Sequence, residues 1–358
     1  MKALIYLGPG KKAVENRPLP DIKESTDAIV KIIKTTICGT DLHILKGDVA
    51  TCAPGRILGH EGIGMIDKIG SSITGFQVGD KVLISCISSC GKCKFCRKGM
   101  YSHCSTGGWI LGNSIDGTQA EYVRIPHADT SLYKIPQGID EEAVVMLSDI
   151  FPTGFECGVL NGKIEPGNTI AIIGAGPIGL ATMLTAQFYS PAEIIMVDVD
   201  DNRLEKAKQL GATTIINNSD GKAVEKIMKI TDSQGVDTAI EAVGVPATFI
   251  LCEDIVAPGG IIANSGVHGV KVDLHLEKLW SQNISITTRL VDTVTTSMLL
   301  KTIRSKKINP KKLITHRFKF NEILKAYETF ANAAQRKRSK LLLKSTAKFY
   351  FRLIQVVP

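Results

Sequence analysis

Hydrophobic and polar positions along the chain follow one pattern before about residue 165 and another after it. The first part is rich in glycine and proline and contains short apolar runs of β-forming residues. Runs of this kind, bounded by turn residues, predict the strands of an irregular, barrel-like β domain. The expected strands are AIVKIIKTTI (28–37), GMIDKIG (64–70), KVLISC (81–86) and AEYVRI (120–125).

The second part alternates apolar β runs with amphipathic segments of helical length, which is typical of βαβ units and a parallel sheet. The expected strands are TIAIIG (169–174), IIMVD (194–198), TTIIN (213–217), VDTAIEAVG (236–244) and GGIIANSGV (259–267). The expected helices are 177–189, 201–211, 293–307 and 321–335, and SKLLLK (339–344) is a further expected strand. The pattern therefore predicts an α/β protein with a β-rich domain, a doubly wound parallel sheet and a C-terminal return.

Composition agrees with a two-domain globular protein. The chain has 358 residues, 44% of them apolar, and 33 glycines, which suits a compact α/β fold of more than one domain. The start, MKALIYLGPGKKA, lacks a signal-peptide pattern, and no apolar run approaches the ~18 residues of a membrane helix. The nine cysteines favour thiols or metal ligands over disulfides. We therefore expect a soluble, cytoplasmic protein that does not contact membranes.

The net charge of +8 is concentrated near the C-terminus. Residues 298–358 contain 16 Lys and Arg residues against only two acidic ones, Glu322 and Glu328. A basic region of this kind is compatible with nucleic-acid binding. No recognition motif accompanies it, however, so a solvated face or the neighbourhood of cofactor phosphates is the favoured interpretation, and we expect no nucleic-acid partner.

A glycine-rich motif points to a dinucleotide. GAGPIG places Gly174, Gly176 and Gly179 in the G-x-G-x-x-G pattern, and it follows an expected strand and opens an expected helix. In that context the backbone N–H groups at the helix N-terminus, including those around Pro177 and Ile178, can hold a pyrophosphate. A tight glycine turn without a ligand is the alternative.

Asp198 strengthens the dinucleotide hypothesis. It ends IIMVD, close to the ~20-residue spacing at which an acidic side chain binds the adenosine ribose. Its carboxylate repels a 2′-phosphate, which favours NAD over NADP. Arg203, a residue type that accepts a 2′-phosphate elsewhere, is expected to pack on the ribose or adenine side instead.

Four cysteines form a compact metal-binding pattern in CGKCKFC and the residue that follows at 104. Cys90, Cys93, Cys96 and Cys104 can surround one tetrahedral ion within a single loop. Four thiolates leave no exchangeable position, so this zinc site is expected to be structural. A zinc ribbon or an iron–sulfur cluster is the alternative.

A catalytic zinc needs about three protein ligands and an open position. Cys38 in ICGTDLH, His60 in LGHEG and Asp149 in SDIFPTG offer one sulfur, one nitrogen and one oxygen donor. Each has another interpretation: a core thiol, a capping histidine, and a turn or N-cap aspartate. Sequence spacing alone does not join them, since 22 and 89 residues separate consecutive members.

Together these motifs resemble zinc-dependent alcohol dehydrogenases of the medium-chain dehydrogenase/reductase family over almost the whole chain. GHEGIG, GDKV, the four-cysteine loop, SDIFPTG and GAGPIG occur in that family's order. The resemblance implies a GroES-like catalytic domain formed by residues 1–150 and 291–358. It also implies a Rossmann NAD-binding domain formed by residues 151–290.

The resemblance also implies roles for the residues around the catalytic zinc. Cys38, His60 and Asp149 correspond to its ligands, the Asp being similar to that of the secondary-alcohol and polyol branches. Glu61 corresponds to a carboxylate that coordinates the zinc transiently during exchange. Asp41 is expected to accept a hydrogen bond from His60 and so to hold its tautomer.

The substrate residues are implied in the same way. Thr40 is expected to hydrogen-bond the alcohol, and His43 to complete a proton relay through the nicotinamide ribose. Trp109 resembles an aromatic residue that lines the small substrate pocket of secondary-alcohol enzymes, with an ordinary core residue as the alternative.

Further cofactor contacts follow from the same likeness. Backbone groups around Val267, in NSGVHG (264–269), are expected beside the nicotinamide, Val243 is a further expected cofactor contact, and Lys340 is expected near the pyrophosphate. Gly39 stands where some relatives carry a phosphate-binding Arg, which implies weaker cofactor binding. The tail 345–358 matches no part of the family pattern.

The implied function is that of an oxidoreductase which interconverts a small primary or secondary alcohol and its carbonyl compound. It would use two zinc ions per chain and NAD(H), with zinc lowering the pKa of the bound alcohol. The alternatives are an NAD-dependent polyol dehydrogenase and a catalytically silent NAD-binding protein on the same scaffold. The expected partners are the small-molecule substrate and further copies of the chain, in a homodimer or homotetramer.

Overall fold

The computed structural model of the chain describes residues 1–331 and 352–355. Its strands are β1 Lys2–Gly8, β2 Lys11–Asn16, β3 Ala28–Ile37, β4 Gly62–Ile69, β5 Lys81–Ile84, β6 Tyr122–Ile125, β7 Leu132–Lys134, β8 Thr169–Ile173, β9 Glu193–Asp198, β10 Thr214–Asn217, β11 Val236–Glu241, β12 Val256–Asn264, β13 Ser285–Thr288, β14 Arg317–Phe318 and β15 Arg352–Gln355.

The α-helices of the described residues are α1 Gly39–Lys46, α2 Ala128–Ser131, α3 Glu141–Val144, α4 Ile150–Thr153, α5 Pro177–Ala186, α6 Asp201–Leu210, α7 Ala223–Ile230, α8 Pro246–Ile255, α9 Leu276–Leu279, α10 Thr296–Arg304 and α11 Ile323–Ala331. Gly154–Leu160 is a π-helical segment, and several single turns of 3₁₀ helix connect the elements. No single helix in the described part is long and apolar enough to cross a membrane, although one bent pair of helices passes the same test when its halves are counted together.

The chain divides into two compact units. The first contains Met1–Asp149 and Asp292–Pro358, and the second contains Ile150–Val291. The expected boundaries at 150 and 291 differ from these by one residue.

The first unit is built around β3. Its larger sheet has the order β14-β15-β3-β4-β5-β7, and β6 pairs with β3 off this path. The pairs are antiparallel except for β15 with β3. β3 is buried along most of its ten residues, because apolar side chains cover both of its faces. This rigid strand ends at Ile37, directly before the first expected zinc ligand.

The second unit is a parallel sheet in the order β10-β9-β8-β11-β12-β13. The first strand along the chain, β8, lies at the centre, and the chain winds outward from it in both directions. This is the doubly wound order of dinucleotide-binding folds, which bind ligands at the carboxyl ends of the strands where the winding reverses. The loop after β8 contains GAGPIG.

Most strands and helices match the sequence expectations. β3 matches its expected run, α6 ends at Gly211, which has a φ of 113°, and the expected helix 177–189 is α5 followed by a 3₁₀ turn. The pattern did not predict α1, whose eight residues are too few for a clear helical period. The expected strand SKLLLK (339–344) lies outside the described residues.

Candidate metal centre and coenzyme site

The first metal ligand is positioned where β3 becomes α1. Cys38 is the residue before the first turn of α1, with extended backbone angles. Its N–H donates to Asp41 Oδ2 at 2.9 Å, and Gln119 Nε2 donates to the same oxygen at 3.0 Å. Asp41 is 1% exposed, and burial raises the pKa of its carboxyl group. Asp41 therefore caps the helix from inside the domain and holds the backbone of Cys38.

The second and third candidate ligands precede β4. His60 and Glu61 are both buried. The backbone carbonyl of Glu61 accepts hydrogen bonds from Thr35 Oγ1 at 2.7 Å and from Thr118 Oγ1 at 2.8 Å. Two buried hydroxyl groups on neighbouring segments thus fix the chain at the point where the two side chains leave it.

The four side chains converge on one position. The candidate ligand atoms of Cys38, His60, Glu61 and Asp149 all lie within 4.8 Å of one another. His60 Nε2 is 3.1 Å from Asp149 Oδ2, and Cys38 Sγ is 3.8 Å from the same oxygen. Ligand bonds of 2.0–2.3 Å in a tetrahedron place donors about 3.3–3.8 Å apart. The spacing and the N, S and O donors therefore fit zinc.

Electrostatics also favour a cation at this centre. Burial raises the pKa of the Cys38 thiol, and the neighbouring carboxyl groups of Glu61 and Asp149 raise it further. Burial lowers the pKa of His60, but its hydrogen bonds to Asp149 and Cys38 outweigh burial and hold that pKa well above the usual range. Bound protons thus offset the negative charge of the clustered acidic groups. A bound dication would displace these protons and balance the charge in their place.

One expected contact is not formed. Asp41 was predicted to accept a hydrogen bond from His60, but its Oδ2 is taken by Cys38 N and Gln119 Nε2. Among the described residues, His60 Nδ1 and Asp41 Oδ1 are both buried without a hydrogen-bond partner. The prediction was therefore wrong for this structure, because Asp41 is turned toward the start of α1.

Two of the expected substrate residues, Thr40 and Trp109, lie next to candidate ligands of this centre. Thr40 Oγ1 is 3.7 Å from Cys38 Sγ, and His43 lies one turn further along α1. The ring of Trp109 meets that of His60 edge-on, with 6.2 Å between centroids. Sequence reasoning missed Asp48, whose Oδ2 is 2.9 Å from His43 Nδ1. The glycine before it could have indicated this contact, because Gly47 ends α1 and turns the chain back so that Asp48 approaches His43.

The four cysteines of the second motif also meet. The sulfur atoms of Cys90, Cys93, Cys96 and Cys104 lie within 4.8 Å of one another, and Cys90 N donates to Cys104 Sγ at 3.2 Å. Hydrogen bonds from the backbone of Cys96 and Ser105 lower the pKa of Cys93 to about 5. Burial, together with hydrogen bonds to its neighbouring thiols, raises that of Cys96 to about 12. Four sulfur donors with no other ligand group suit a closed structural zinc site.

The glycine motif of the second unit has the close packing that its residues require. Gly174 directly follows the strand β8 and has a φ of 108°, and Gly176 is the N-cap of α5. A Cβ on Gly179 would lie 1.8 Å from the carbonyl oxygen of Gly174, so only glycine lets α5 approach the strand this closely. Pro177 and Ile178 begin the first turn of α5, with the proline at the position where a helix needs no N–H.

Asp198 lies at the end of β9 beside this loop and is 6% exposed at its side chain. Its Oδ2 accepts a hydrogen bond from Ala175 N at 2.8 Å, and its Oδ1 accepts from Val199 N at 2.8 Å. Arg203 Nη1 is 3.6 Å from the same carboxylate. The carboxylate thus holds the glycine loop.

Other expected cofactor residues lie on the same edge of this sheet. Val243 follows β11 and Val267 follows β12, and their side chains are 47% and 63% exposed. Apolar side chains this exposed at the carboxyl ends of parallel strands suit a flat aromatic ligand. Lys340 lies outside the described residues.

Fold and site together define a two-domain, metal-dependent dehydrogenase. A family model for the alcohol dehydrogenase GroES-like domain matches residues 24–137, and one for zinc-binding dehydrogenases matches residues 177–303. The chain belongs to the zinc-dependent alcohol dehydrogenases of the medium-chain dehydrogenase/reductase family. Membership confirms the expected fold class and the expected reaction class, NAD(H)-linked alcohol oxidoreduction with zinc.

The relatives share nearly the full length of the chain. An alcohol dehydrogenase of Cupriavidus necator is 36% identical over 93% of this chain and 95% of its own. The apo structure of zinc-dependent alcohol dehydrogenase 2 from Streptococcus pneumonia is 54% identical, covers 100% of this chain and 98% of its own, and has a TM-score of 0.92. Alcohol dehydrogenase TADH from Thermus sp. ATN1 is 29% identical, with 99% and 100% coverage and a TM-score of 0.87.

Proposed function

We propose that the chain oxidises a small alcohol to its carbonyl compound at a zinc ion held by Cys38, His60 and Asp149, with NAD as hydride acceptor. The convergence of these three donors within one partly buried cluster carries the proposal. In this assignment the first unit is the catalytic domain and the second is the NAD-binding domain. Bound zinc would supply a Lewis acid that favours the alkoxide, and the nicotinamide would accept the hydride.

Three further residues would orient the substrate, transfer its proton and assist ligand exchange at the metal. Thr40, on the first turn of α1, orients the alcohol hydroxyl by accepting its hydrogen bond. It takes up the alcohol's proton only as its own hydroxyl proton passes on toward His43. His43 lies three residues further on the same face of the helix and is half-buried, so it can pass a proton between the site and water. Glu61 is the fourth candidate ligand, within 4.8 Å of the other three, and can occupy the metal while substrate and water exchange.

We propose NAD rather than NADP as the preferred cofactor. Asp198 places a carboxylate at the end of β9, and a 2′-phosphate would approach that charge closely. Solved structures of similar proteins contain both cofactors: rspB from E. coli is complexed with NADH, and a zinc-binding dehydrogenase from Sinorhizobium meliloti is bound to NADP. The preference for NAD or NADP therefore has to be inferred from this chain's own side chains at the end of β9.

The proposed substrate is a small, mainly apolar alcohol. The bulky ring of Trp109 stands edge-on to His60, which narrows the space next to the metal. A polyol is the second candidate, because a sorbitol dehydrogenase of Bacillus subtilis is 34% identical over 75% of this chain and 75% of its own. Relative turnover of propan-2-ol and sorbitol distinguishes the two.

We also propose that the chain forms a homodimer or homotetramer through the second unit. β13 is an edge strand of the parallel sheet, and its residues are largely exposed. Trp280 is 79% exposed and Leu276 58% exposed nearby in sequence. An exposed strand edge with apolar side chains readily pairs with another copy. The nine cysteines are all free thiols, which supports a reducing, cytoplasmic location.

The test combines activity with metal content. Purified protein is incubated with propan-2-ol and either NAD or NADP, reduced nicotinamide is followed by absorbance, and zinc is counted per chain. Expected results are turnover with NAD, about two zinc ions, and loss of turnover in Cys38→Ser with about one zinc retained. Binding of zinc and NAD without turnover of any small alcohol, aldehyde or polyol would instead support the catalytically silent alternative.

A further inference from the structure

The end of α1 contains an unusual pair of side chains. The helix ends at Lys46, and Gly47 follows with a φ of 90°, a left-handed conformation that favours glycine. Gly47 N donates to Ile44 O at 3.0 Å, and Asp48 N donates to His43 O at 3.0 Å. These two bonds form the Schellman arrangement, in which the residues at the positions of Asp48 and His43 normally make an apolar contact.

Here a carboxylate and an imidazole replace that apolar contact. Asp48 Oδ2 lies 2.9 Å from His43 Nδ1. A carboxylate is unfavourable at this position on electrostatic grounds alone, since the C-terminal end of a helix carries partial negative charge. A backbone hydrogen bond and a side-chain hydrogen bond both join Asp48 to His43. Two bonds hold the carboxylate and the imidazole in place although both residues are partly exposed.

The hydrogen bond determines which nitrogen of His43 is protonated. An ionised carboxylate can only accept, so Nδ1 must donate and the neutral ring must carry its proton there. The other nitrogen, Nε2, then has a free lone pair. Within the described residues, the structure gives Nε2 no hydrogen-bond partner. His43 is therefore held in the single neutral form that can accept a proton at Nε2.

We propose that Asp48 is a positioning residue for the proton transfer, fixing His43 as a proton acceptor at Nε2. This inference rests on the proposed function. During alcohol oxidation the substrate O–H bond breaks, and the released proton forms an N–H bond at His43 Nε2. Nδ1 keeps its own proton and its hydrogen bond to Asp48, which becomes charge-assisted. The Nε2 proton then passes to water.

The first test reads the tautomer directly and does not depend on turnover. Zinc-loaded protein with NAD, labelled with ¹⁵N-histidine, is studied by two-bond ¹H–¹⁵N NMR near pH 9, well above the ordinary histidine pKa of ~6.5. His43 is assigned by the signals that disappear in His43→Gln. We expect the Nδ1–H form in the wild type and a substantial Nε2–H population in Asp48→Ala. An Nε2–H form in the wild type, or an unchanged tautomer in Asp48→Ala, overturns the proposal.

The second test asks whether Asp48 acts only through His43. We expect Asp48→Ala to lower kcat for propan-2-ol roughly tenfold, less than the ~10²–10⁴ that a positioned proton acceptor contributes, because His43 itself remains. KM for the alcohol should change less than about twofold. Asp48→Glu, which keeps the carboxylate, should recover part of the loss. In a His43→Gln background, Asp48→Ala should have almost no further effect.

Asp21→Asn is the matched control, because Asp21 is an exposed carboxylate that pairs with Lys68 away from the metal centre. It should leave kcat unchanged. Independent, multiplying losses in the His43→Gln/Asp48→Ala double variant would overturn the inference, since they indicate a structural role for Asp48. An Asp48-dependent tautomer in a wild-type protein that oxidises no alcohol would refute the proposed function and still support the pairing.

Discussion

The backbone N–H of Gly62 donates a 3.0 Å hydrogen bond to Ser148 Oγ, and both groups are buried. Gly62 follows the ligand segment His60–Glu61, and Ser148 precedes Asp149. The bond therefore joins, across 86 residues of chain, the two segments that bring a nitrogen and an oxygen donor to the same metal position.

Ser148→Ala should loosen the metal centre. The substitution leaves the buried N–H of Gly62 without a partner, which costs about 1–3 kcal/mol, and it frees Asp149 to move away from His60. Zinc analysis after dialysis against a weak chelator should find about one ion per chain, with the four-cysteine site still filled. Ser131→Ala, in which another buried hydroxyl that accepts a backbone N–H is lost, is the control and should retain about two.

The four-cysteine site should contribute to stability and not directly to the chemistry. Cys93→Ser removes the thiol whose pKa lies at about 5, and with it the most readily deprotonated ligand. Binding energy of a structural zinc is folding energy, so we expect a lower melting temperature and the loss of one zinc. At a temperature where the variant is fully folded, KM for the alcohol should stay within about twofold of the wild type. A large change in KM with no change in melting temperature would contradict the structural assignment.

Different parts of the site differ in how far the sequence could predict them. The four cysteines and GAGPIG each lie within one short stretch of chain. Residues this close in sequence must also lie close in space, so the spacing alone predicts both sites. Cys38, His60 and Asp149 come from three distant segments, and only the family resemblance joined them. The sheet of the second unit was predictable because strands buried on both faces are continuous apolar runs.

The remaining features depend on backbone geometry that no spacing rule captures. The Asp48–His43 pair requires the left-handed turn at Gly47, and the Ser148–Gly62 bond requires two segments to meet in space. Asp41 was expected to accept a hydrogen bond from His60, but the N–H of Cys38 at the start of α1 donates to Asp41 Oδ2 instead. Asp41 therefore caps the start of α1 in this structure and makes no hydrogen bond to His60.

Asp198→Ala should both weaken NAD binding and relax the cofactor preference. The carboxylate binds Ala175 N of the glycine loop at 2.8 Å, so its loss removes a loop contact as well as the charge that repels a 2′-phosphate. We expect KM for NAD to rise about tenfold or more, and the ratio of kcat/KM for NAD over NADP to fall by a similar factor. Asp220→Asn, at an exposed pair with Lys226, is the control. An unchanged ratio would show that Asp198 only supports the loop.

Acid sensitivity of the first unit should depend on Glu141. Burial opposes ionisation of this carboxyl, but hydrogen bonds from Lys34 and Lys81 outweigh it and lower the pKa of Glu141 below 4.5. A lowered folded-state pKa adds stability above the unfolded-state value, and that stability is lost as the pH falls through the folded-state value. Glu141→Gln should therefore lower the free energy of unfolding by about 1–2 kcal/mol at pH 7. In urea titrations at decreasing pH, the difference between the two proteins should begin to shrink near pH 4.5 and disappear at lower pH. A difference that stays constant from pH 7 to pH 3 would mean that the Glu141 charge does not stabilise the fold.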